Sequence, residues 1–270
     1  MNIIQLGHIS INSPRTWNEC SKDQLYYIAS QLQKWRPVFS SSKAYLKKEQ
    51  SKAVLFIRMA LLQVMLGVNP FNVFSSRTRA FRKILPEQML DLLKTVDFIF
   101  ESNNLTENKF PIINGLHGPA DGLRFLSVGE FAFTETYFLK YHTTQSEEFL
   151  NKLCATLYRE QAFENQDHLD KRAKFNDASI DSRAQKIKGW NSHLKQVVLL
   201  FYIGCREKII RDNQSLFTKT KKGDKQKQNW AELILDLSGD KFGSMDQTSD
   251  TPIFTILVYL KKLQKQADKK

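Results

Sequence analysis

The chain carries its strongest helical pattern in residues 127–160, SVGEFAFTETYFLKYHTTQSEEFLNKLCATLYRE. Ser127 precedes Glu130 by three residues, and Thr144 precedes Glu147 in the same way, which is the spacing of a capping box at a helix N-terminus. Apolar residues then recur every three or four positions, as on the buried face of a helix. The stretch predicts two consecutive helices, the first so rich in aromatic residues that it is either deeply buried or exposed to a partner.

The same period recurs on both sides of this stretch. Ser21 and Gln24 predict a capped helix that ends at Pro37, and Pro86 has the position of a first-turn proline in a later helix. Glycine and proline are scarce, with 11 and 7 residues, which disfavours an all-β fold. We therefore predict an all-α (mainly α) fold, a multi-helix globular bundle of about eight or nine helices.

One long irregular stretch interrupts the helices between residues 101 and 125, and it is rich in Asn, Gly and Pro. Within it, FPII and LRFL have the composition of short strands, so a small β-hairpin is predicted around residues 110–126. A loop of this length inside a compact domain is often functional, which makes it a candidate surface.

The domain organisation is predicted from a loss of helical period in residues 159–178, REQAFENQDHLDKRAKFNDA. We interpret this segment as a linker or an excursion between an N-terminal helical region, residues 1–158, and a C-terminal helical region, residues 179–270. A single continuous domain is the alternative.

The chain is basic, with 40 Lys and Arg against 28 Asp and Glu and a formal net charge of +12. Residues 1–158 hold 18 basic and 13 acidic groups, and residues 159–270 hold 22 and 15, so the excess is spread along the chain. Such a charge favours polyanionic partners or simple solubility. The three cysteines lack a CxxC spacing, and the N-terminus lacks a secretory pattern, so a cytoplasmic location without membrane insertion is predicted.

The spacing of the reactive residues matches no catalytic or metal-binding motif. The five histidines are scattered without an HExxH, no GxSxG occurs, and Cys154 and Cys205 fall on apolar helix faces. We therefore predict no catalytic residue, no metal and no cofactor, and a protein that is not an enzyme.

Two basic segments are candidate polyanion contacts. SSRTRAFRK, residues 75–83, interleaves Arg77, Arg79, Arg82 and Lys83 with Phe81, an aromatic ring that could stack on a base. TKTKKGDKQK, residues 218–227, is a lysine-rich loop, and its candidate contacts are Lys219, Lys221, Lys222 and Lys225. Both segments could equally be solvated faces.

The stretch LSGDKFGSMDQTSDTPIF, residues 237–254, has the glycines and aspartates of a phosphate or calcium loop but the spacing of neither. It is better interpreted as a corner between two helices, with Gly239 in a left-handed cap and Pro252 in the next first turn. Phe242 in this corner, with Trp230 and Phe131, is a candidate contact for a protein partner.

Four stretches in this order resemble uncharacterised proteins encoded in phage and prophage tail modules: TWNECSKDQL, residues 124–160, FNDASIDSRAQKI and residues 230–260. The last of them, a helix, an FG-containing turn and a second helix, is similar to the small helical domain of phage tail-assembly chaperones. The resemblance implies binding of a tape-measure protein and tail-tube subunits, and it carries no catalytic residues. This chain is longer than those proteins, and most of it has no counterpart in them.

Together these observations favour a non-enzymatic adaptor or assembly factor, in particular a phage or prophage tail-assembly or structural protein that binds other proteins. The alternative is a basic nucleic-acid-binding protein that uses the two basic segments. The identity of the partner and the oligomeric state are left open by the sequence.

Overall fold

The computed structural model describes residues 1–39, 46–162, 170–217, 230–239 and 241–267. In these residues the secondary structure is mainly helical, with two small two-stranded sheets, which confirms the predicted fold class. The elements are β1 (Asn2–Leu6), β2 (Ile9–Ser13), α1 (Lys22–Phe39), α2 (Leu46–Met65), α3 (Ser76–Phe81), α4 (Pro86–Lys94), β3 (Ile112–Ile113), β4 (Leu116–His117), α5 (Val128–Thr144), α6 (Glu147–Leu157), α7 (Ile180–Ile187), α8 (Ser192–Asp212), α9 (Gln214–Phe217), α10 (Trp230–Leu237), α11 (Met245–Asp250) and α12 (Ile253–Ala267).

The helices of the described residues are more numerous than predicted because short ones lie where the sequence indicated only loops. Four 3-10 helices, at Trp17–Glu19, Asp97–Ile99, Asp121–Leu123 and Asp177–Ser179, add single turns between the described elements. No helix of the described residues combines the length and the apolar character needed to cross a bilayer.

The chain divides into two compact units. Unit 1 comprises Met1–Leu105 and Ser192–Gly204, and unit 2 comprises Thr106–Asn191 and Cys205–Lys270. Helix α8 therefore contributes residues to both. The boundaries between the two units do not fall at residues 159–178, because the described part of that segment lies within unit 2. A separate domain that begins at residue 179 stays a prediction.

Unit 1 begins with an antiparallel hairpin that the sequence analysis missed. Strands β1 and β2 pair through a two-residue turn, in which Gly7 has a φ of +61°. Glycine at the first central position favours this type of hairpin turn, and the alternation of apolar and polar residues on both sides is a strand pattern. Ile4, Leu6 and Ile11 point to the buried face, while Ile3 on the opposite face is exposed.

The core of unit 1 forms where α1, α2 and the first part of α8 bury their apolar faces. Ser21 and Gln24 cap α1 as predicted: the Ser21 amide donates to the Gln24 side chain at 2.8 Å, and the Gln24 amide donates to the Ser21 hydroxyl at 3.2 Å. The helix does not end at Pro37, as predicted, but continues to Phe39. Trp17 anchors the hairpin end of the core, where its Nε1 donates to the Phe98 carbonyl at 3.2 Å. The most deeply buried side chains of unit 1 include Trp17, Leu25, Ile28, Ile57, Leu61, Leu62, Leu66, Leu105 and Tyr202.

Unit 2 is built on α5, α6 and α7, which contact one another in chain order. Ser127 caps α5 as predicted, accepting from the Glu130 amide at 3.2 Å. The second predicted cap is displaced. Thr144 is the last residue of α5, where its hydroxyl donates to the Lys140 carbonyl, and Ser146 precedes α6 instead.

The hairpin predicted around residues 110–126 is present, but with a different second strand. β3 pairs with β4, which comes only two residues later, whereas Leu123 in LRFL lies in a 3-10 helix. Asn108 holds the loop together: its amide donates to the Asp121 carboxylate at 2.7 Å, and its side chain donates to the Pro119 carbonyl at 2.8 Å. Local hydrogen bonds thus fold this stretch into a compact loop rather than a longer hairpin.

Candidate functional site

The most exposed aromatic side chains of the described residues lie in the turn between α2 and α3. Phe71 is 92% exposed and Phe74 is 87% exposed. Asn69 organises the turn, because its side chain accepts from the Phe71 amide and its carbonyl accepts from the Asn72 amide, both at 3.0 Å. We refer to residues 69–75 as the Phe loop.

Helix α3 holds the backbone of the Phe loop in place. The buried hydroxyl of Thr78 donates to the Asn69 carbonyl at 2.9 Å, and Arg82 Nη2 donates to the Pro70 carbonyl at 3.2 Å. Both bonds fix the residues that precede Phe71. A loop that is ordered before binding loses less conformational entropy when a partner covers its side chains.

The four basic residues predicted as polyanion contacts in this part of the chain divide into two pairs. Arg82 donates a hydrogen bond to the Phe loop. Arg77 lies against Gly67, so closely that a Cβ atom at position 67 would be 2.5 Å from the Nη1 atom of Arg77. Arg79 and Lys83 are exposed, and neither forms a hydrogen bond or ion pair with any residue that the structure describes. Arg77 likewise forms no hydrogen bond or ion pair within the described residues, but it does not line the cleft that Arg79 and Lys83 line.

Arg79 and Lys83 line a cleft of about 890 Å³ in unit 1. Its walls are the β1–β2 turn, α3 and α4, and its polar lining includes Gln5, His8, Arg79, Lys83, Gln88 and Asp91. Asp91 is the acidic group of this lining, and Lys94 donates to its carboxylate at 2.8 Å, an interaction that raises the pKa of Lys94. Since Asp91 is already paired, the positive charges of Arg79 and Lys83 dominate the cleft.

Phe81 does not have the role expected of it. It is 8% exposed and belongs to the core, so its ring is not available to stack on a ligand. The exposed rings beside the basic residues are those of Phe71 and Phe74, which the sequence analysis missed. Their position after the helix-breaking Asn69–Pro70 pair was the available signal, because a turn that follows a breaker lies at the surface.

The lysine-rich loop, with Lys219, Lys221, Lys222 and Lys225, lies outside the described residues. Its role as a polyanion contact stays a prediction.

The predicted partner contacts Phe131, Trp230 and Phe242 lie in unit 2 and pack against other aromatic side chains. Phe131 is 2% exposed and meets Trp230 edge to face, with ring centroids 4.8 Å apart. Phe242 packs edge to face on Tyr259 of α12 at 5.1 Å. Phe131 therefore lies in the core, while Trp230 and Phe242 are half-buried.

The corner in residues 237–254 is built as a structural connection. Gly239 has a φ of +91°, as a left-handed helix cap requires, and it is followed by the additional short helix α11, which Ser244 and Gln247 cap. Backbone hydrogen bonds join the corner to the start of α5: the Val128 amide donates to the Thr251 carbonyl at 2.8 Å, and the Ile253 amide donates to the Leu126 carbonyl at 2.9 Å. The positive φ of Gly239 agrees with the predicted left-handed residue after α10, while its amide donates to the Gly243 carbonyl at 2.7 Å rather than back to the helix.

Unit 2 also contains a buried ion network that the sequence analysis missed. Glu130 is 1% exposed, and its carboxylate lies 2.5 Å from Arg172 Nη1 and 3.2 Å from Arg159 Nη1. Asp170 completes the network by accepting hydrogen bonds from Arg172, the shortest of them from Nε at 2.8 Å and from Nη2 at 2.7 Å. The side chain of Glu130 thus binds two arginines, whereas the sequence predicted that it would cap α5.

Burial and charge oppose each other in this network. Burial lowers the pKa of Arg159 to about 10, although the negative charge of Glu130 acts in the other direction. Burial alone would raise the pKa of Asp170, but the hydrogen bonds and charge of Arg172 outweigh it and hold that pKa below its usual range. Backbone hydrogen bonds also join the two described ends of residues 159–178: the Ala162 amide donates to the Lys171 carbonyl at 2.9 Å, and the Ala173 amide donates to the Glu160 carbonyl at 2.8 Å.

The arrangement of His, Cys, Asp and Glu side chains can be checked for a metal centre in the described residues. Within the ranges that the structure describes, no group of three or more His, Cys, Asp or Glu side chains is placed to hold a metal ion. All three cysteines are buried, and burial raises the pKa of Cys205 to about 12. The thiol of Cys205 is therefore protonated and shielded at neutral pH.

No family model, no curated protein and no solved structure matches this chain.

Proposed function

We propose that the protein is a non-enzymatic adaptor or assembly factor that binds another protein through the Phe loop and the neighbouring cleft of unit 1. The observation that carries the proposal is the 92% and 87% exposure of Phe71 and Phe74 on a backbone fixed by Thr78 and Arg82. Aromatic and arginine side chains supply much of the binding energy of protein interfaces. The resemblance to phage tail-module proteins supports a finer proposal, assembly of a phage or prophage tail.

Site-specific photo-crosslinking tests this function. A photoreactive phenylalanine analogue replaces Phe71 or Phe74 in a cell that also expresses the products of the neighbouring genes. Leu139, which is 52% exposed on α5, provides the control position. We expect one protein to be crosslinked from positions 71 and 74 and not from 139. Equal crosslinking from all three positions, or none, would contradict the proposal.

A second candidate function, nucleic-acid binding, is supported by the unoccupied donors of Arg79 and Lys83. Binding of oligo(dT) measured against salt concentration tests it, because each phosphate contact releases counterions. Two contacts on a single strand predict a log–log slope of roughly −1.4. A slope that does not change when both residues are replaced by alanine would exclude the cleft as the nucleic-acid site.

A further inference from the structure

We infer that the cleft of unit 1 receives an extended acidic segment of the partner protein, with two carboxylates bound by Arg79 and Lys83 and apolar side chains packed on the Phe loop. This inference rests on the proposed function and specifies the chemistry of the partner.

The charge of the cleft is the first argument. Arg79 and Lys83 have no partner in the part of the chain that the structure describes, while Asp91 is paired with Lys94. A guanidinium presents a fork of donors that matches a carboxylate, and an ammonium adds a second positive charge. The cleft therefore lacks two negative groups, which the partner would supply.

The spacing of the two cations specifies the segment further. Lys83 follows Arg79 by four residues and lies in the turn just after α3, where the Arg82 amide donates to the Thr78 carbonyl and the Lys83 amide to the Ala80 carbonyl, both at 3.1 Å. This turn continues the winding of the helix, so the Cβ atoms of Arg79 and Lys83 are expected roughly 5–6 Å apart. Alternate residues of an extended chain project to the same side about 6.6 Å apart. Two acidic residues separated by one position in an extended segment would thus meet both cations, and the segment would read acidic–x–acidic.

The apolar surroundings favour a protein segment over a nucleic acid. Val73 within the Phe loop is 42% exposed, and the cleft itself is lined by the aliphatic side chains of Leu6, Ile9, Ile84 and Leu92. Aliphatic groups provide neither charge for phosphates nor rings for bases, but they do bury area against the apolar side chains of a protein. A concave volume of about 890 Å³ also suits an inserted segment, because pockets that enclose ligands have volumes of about 300–1,000 Å³.

Selection from a library of short random peptides displayed on an immobilised support tests the inference with the full chain as bait. We expect the selected peptides to share two acidic residues one position apart, next to an apolar residue. A fluorescein-labelled consensus peptide then gives dissociation constants by fluorescence anisotropy. Replacing both acidic residues of that peptide by glutamine should weaken binding by about tenfold or more, because both charge pairs are lost.

The variant Arg79→Glu/Lys83→Glu should weaken binding of the consensus peptide by at least about tenfold. Its control is Lys262→Glu/Lys265→Glu on α12, which changes the net charge equally at two exposed lysines and should alter binding less than about twofold. Urea unfolding of both variants confirms that they are folded. Equal loss in both, or a consensus without acidic residues, or no consensus at all, would overturn the inference.

Two further probes test whether the cleft binds a nucleic acid or a membrane instead of an acidic protein segment. Oligo(dT) and vesicles of phosphatidylcholine with about 30% phosphatidylserine are titrated against the same variants. If either binds the wild type and loses binding only in Arg79→Glu/Lys83→Glu, while the peptide does not bind, the occupant is not an acidic protein segment. Crosslinking from position 71 that persists in this variant would leave the proposed function standing and remove only the acidic segment.

Discussion

Two regions rich in arginine differ in what surrounds the guanidinium groups. In unit 2, Arg159 and Arg172 are about 3% exposed, and Glu130 and Asp170 lie within ion-pair distance of them. In unit 1, Arg79 and Lys83 are exposed at a cleft and have no partner among the described residues. The first region has its acidic partners within its own chain, so it serves stability. The second has two cations without acidic partners, and it is the region from which we infer binding.

The difference shows that the presence of arginines alone does not locate a binding surface. Residues 159–178 hold four basic and five acidic residues, whereas residues 75–83 hold four basic residues and no acidic one. The position of acidic groups in the folded chain separates an internal ion network from a surface that is open to a partner.

The largest effect is expected for Glu130→Ala, because it leaves Arg159 and Arg172 buried without this carboxylate. Breaking one partner of a buried ion pair should lower the free energy of unfolding by about 3–5 kcal/mol. Glu148→Ala is the matched control, since it removes an exposed ion pair with Lys152 and should change that free energy by about 0–1 kcal/mol. Urea unfolding measures both, and equal losses would remove the distinction between the two regions.

A smaller effect, about 1–3 kcal/mol at neutral pH, is expected for Asp170→Asn, which weakens the hydrogen bonds to Arg172. The pKa of Asp170 is lower in the folded than in the unfolded chain, where it is about 3.9. Its stabilisation is therefore complete above the unfolded pKa and is lost as the pH falls through the folded pKa. Urea unfolding between about pH 7 and pH 3 should show the wild-type advantage shrinking at the acid end, and a constant difference would contradict the assignment.

Within the basic segment of unit 1, Arg82→Ala should lower the free energy of unfolding by about 0.5–1.5 kcal/mol, because it removes the hydrogen bond to the Pro70 carbonyl. Arg79→Ala should change it by less than about 0.5 kcal/mol. Hydrogen–deuterium exchange offers a second measurement. Exchange in residues 69–75 should become faster in the first variant and stay unchanged in the second, and the reverse order would show that Arg79 holds the loop.

The smallest effect on stability is expected for Phe71→Ser/Phe74→Ser, because the two rings are almost fully exposed. The free energy of unfolding should change by less than about 0.5 kcal/mol, while crosslinking to the partner from position 73 should disappear. Phe81→Ala is the contrasting variant, since this ring is buried and its loss should cost about 3–5 kcal/mol. A marked loss of stability in the double variant would show that the Phe loop has a structural role.

Local patterns in the sequence predicted much of the secondary structure. The caps at Ser21 and Ser127, the helix from Pro86 and the left-handed Gly239 depend on residues within a few positions of one another. The hairpin of β1 and β2 carried a readable signal in Gly7 and its flanking alternation, but the helical pattern of the rest obscured it. The Thr144 cap did not form because α5 continues through Thr144, whose hydroxyl donates back to the Lys140 carbonyl, and Ser146 precedes α6 without a side-chain capping bond.

The candidate site was predicted in part. The segment that holds Arg79 and Lys83 was recognised from its composition, whereas Phe81 was chosen as its aromatic residue in place of Phe71 and Phe74. Periodicity could not correct this choice, because α3 is only six residues long and its apolar face is too short to show a pattern.

The sequence by itself determined the helical class, most helix starts and the corner at Gly239, because these follow from backbone propensity and hydrogen bonds between near neighbours. Tertiary structure alone decided which buried charges are paired. Glu130 and Arg172 are 42 residues apart, and their contact exists only because the fold places Arg172 beside α5. Coulomb attraction depends on distance in space and on burial, and neither quantity can be read from the order of residues along the chain.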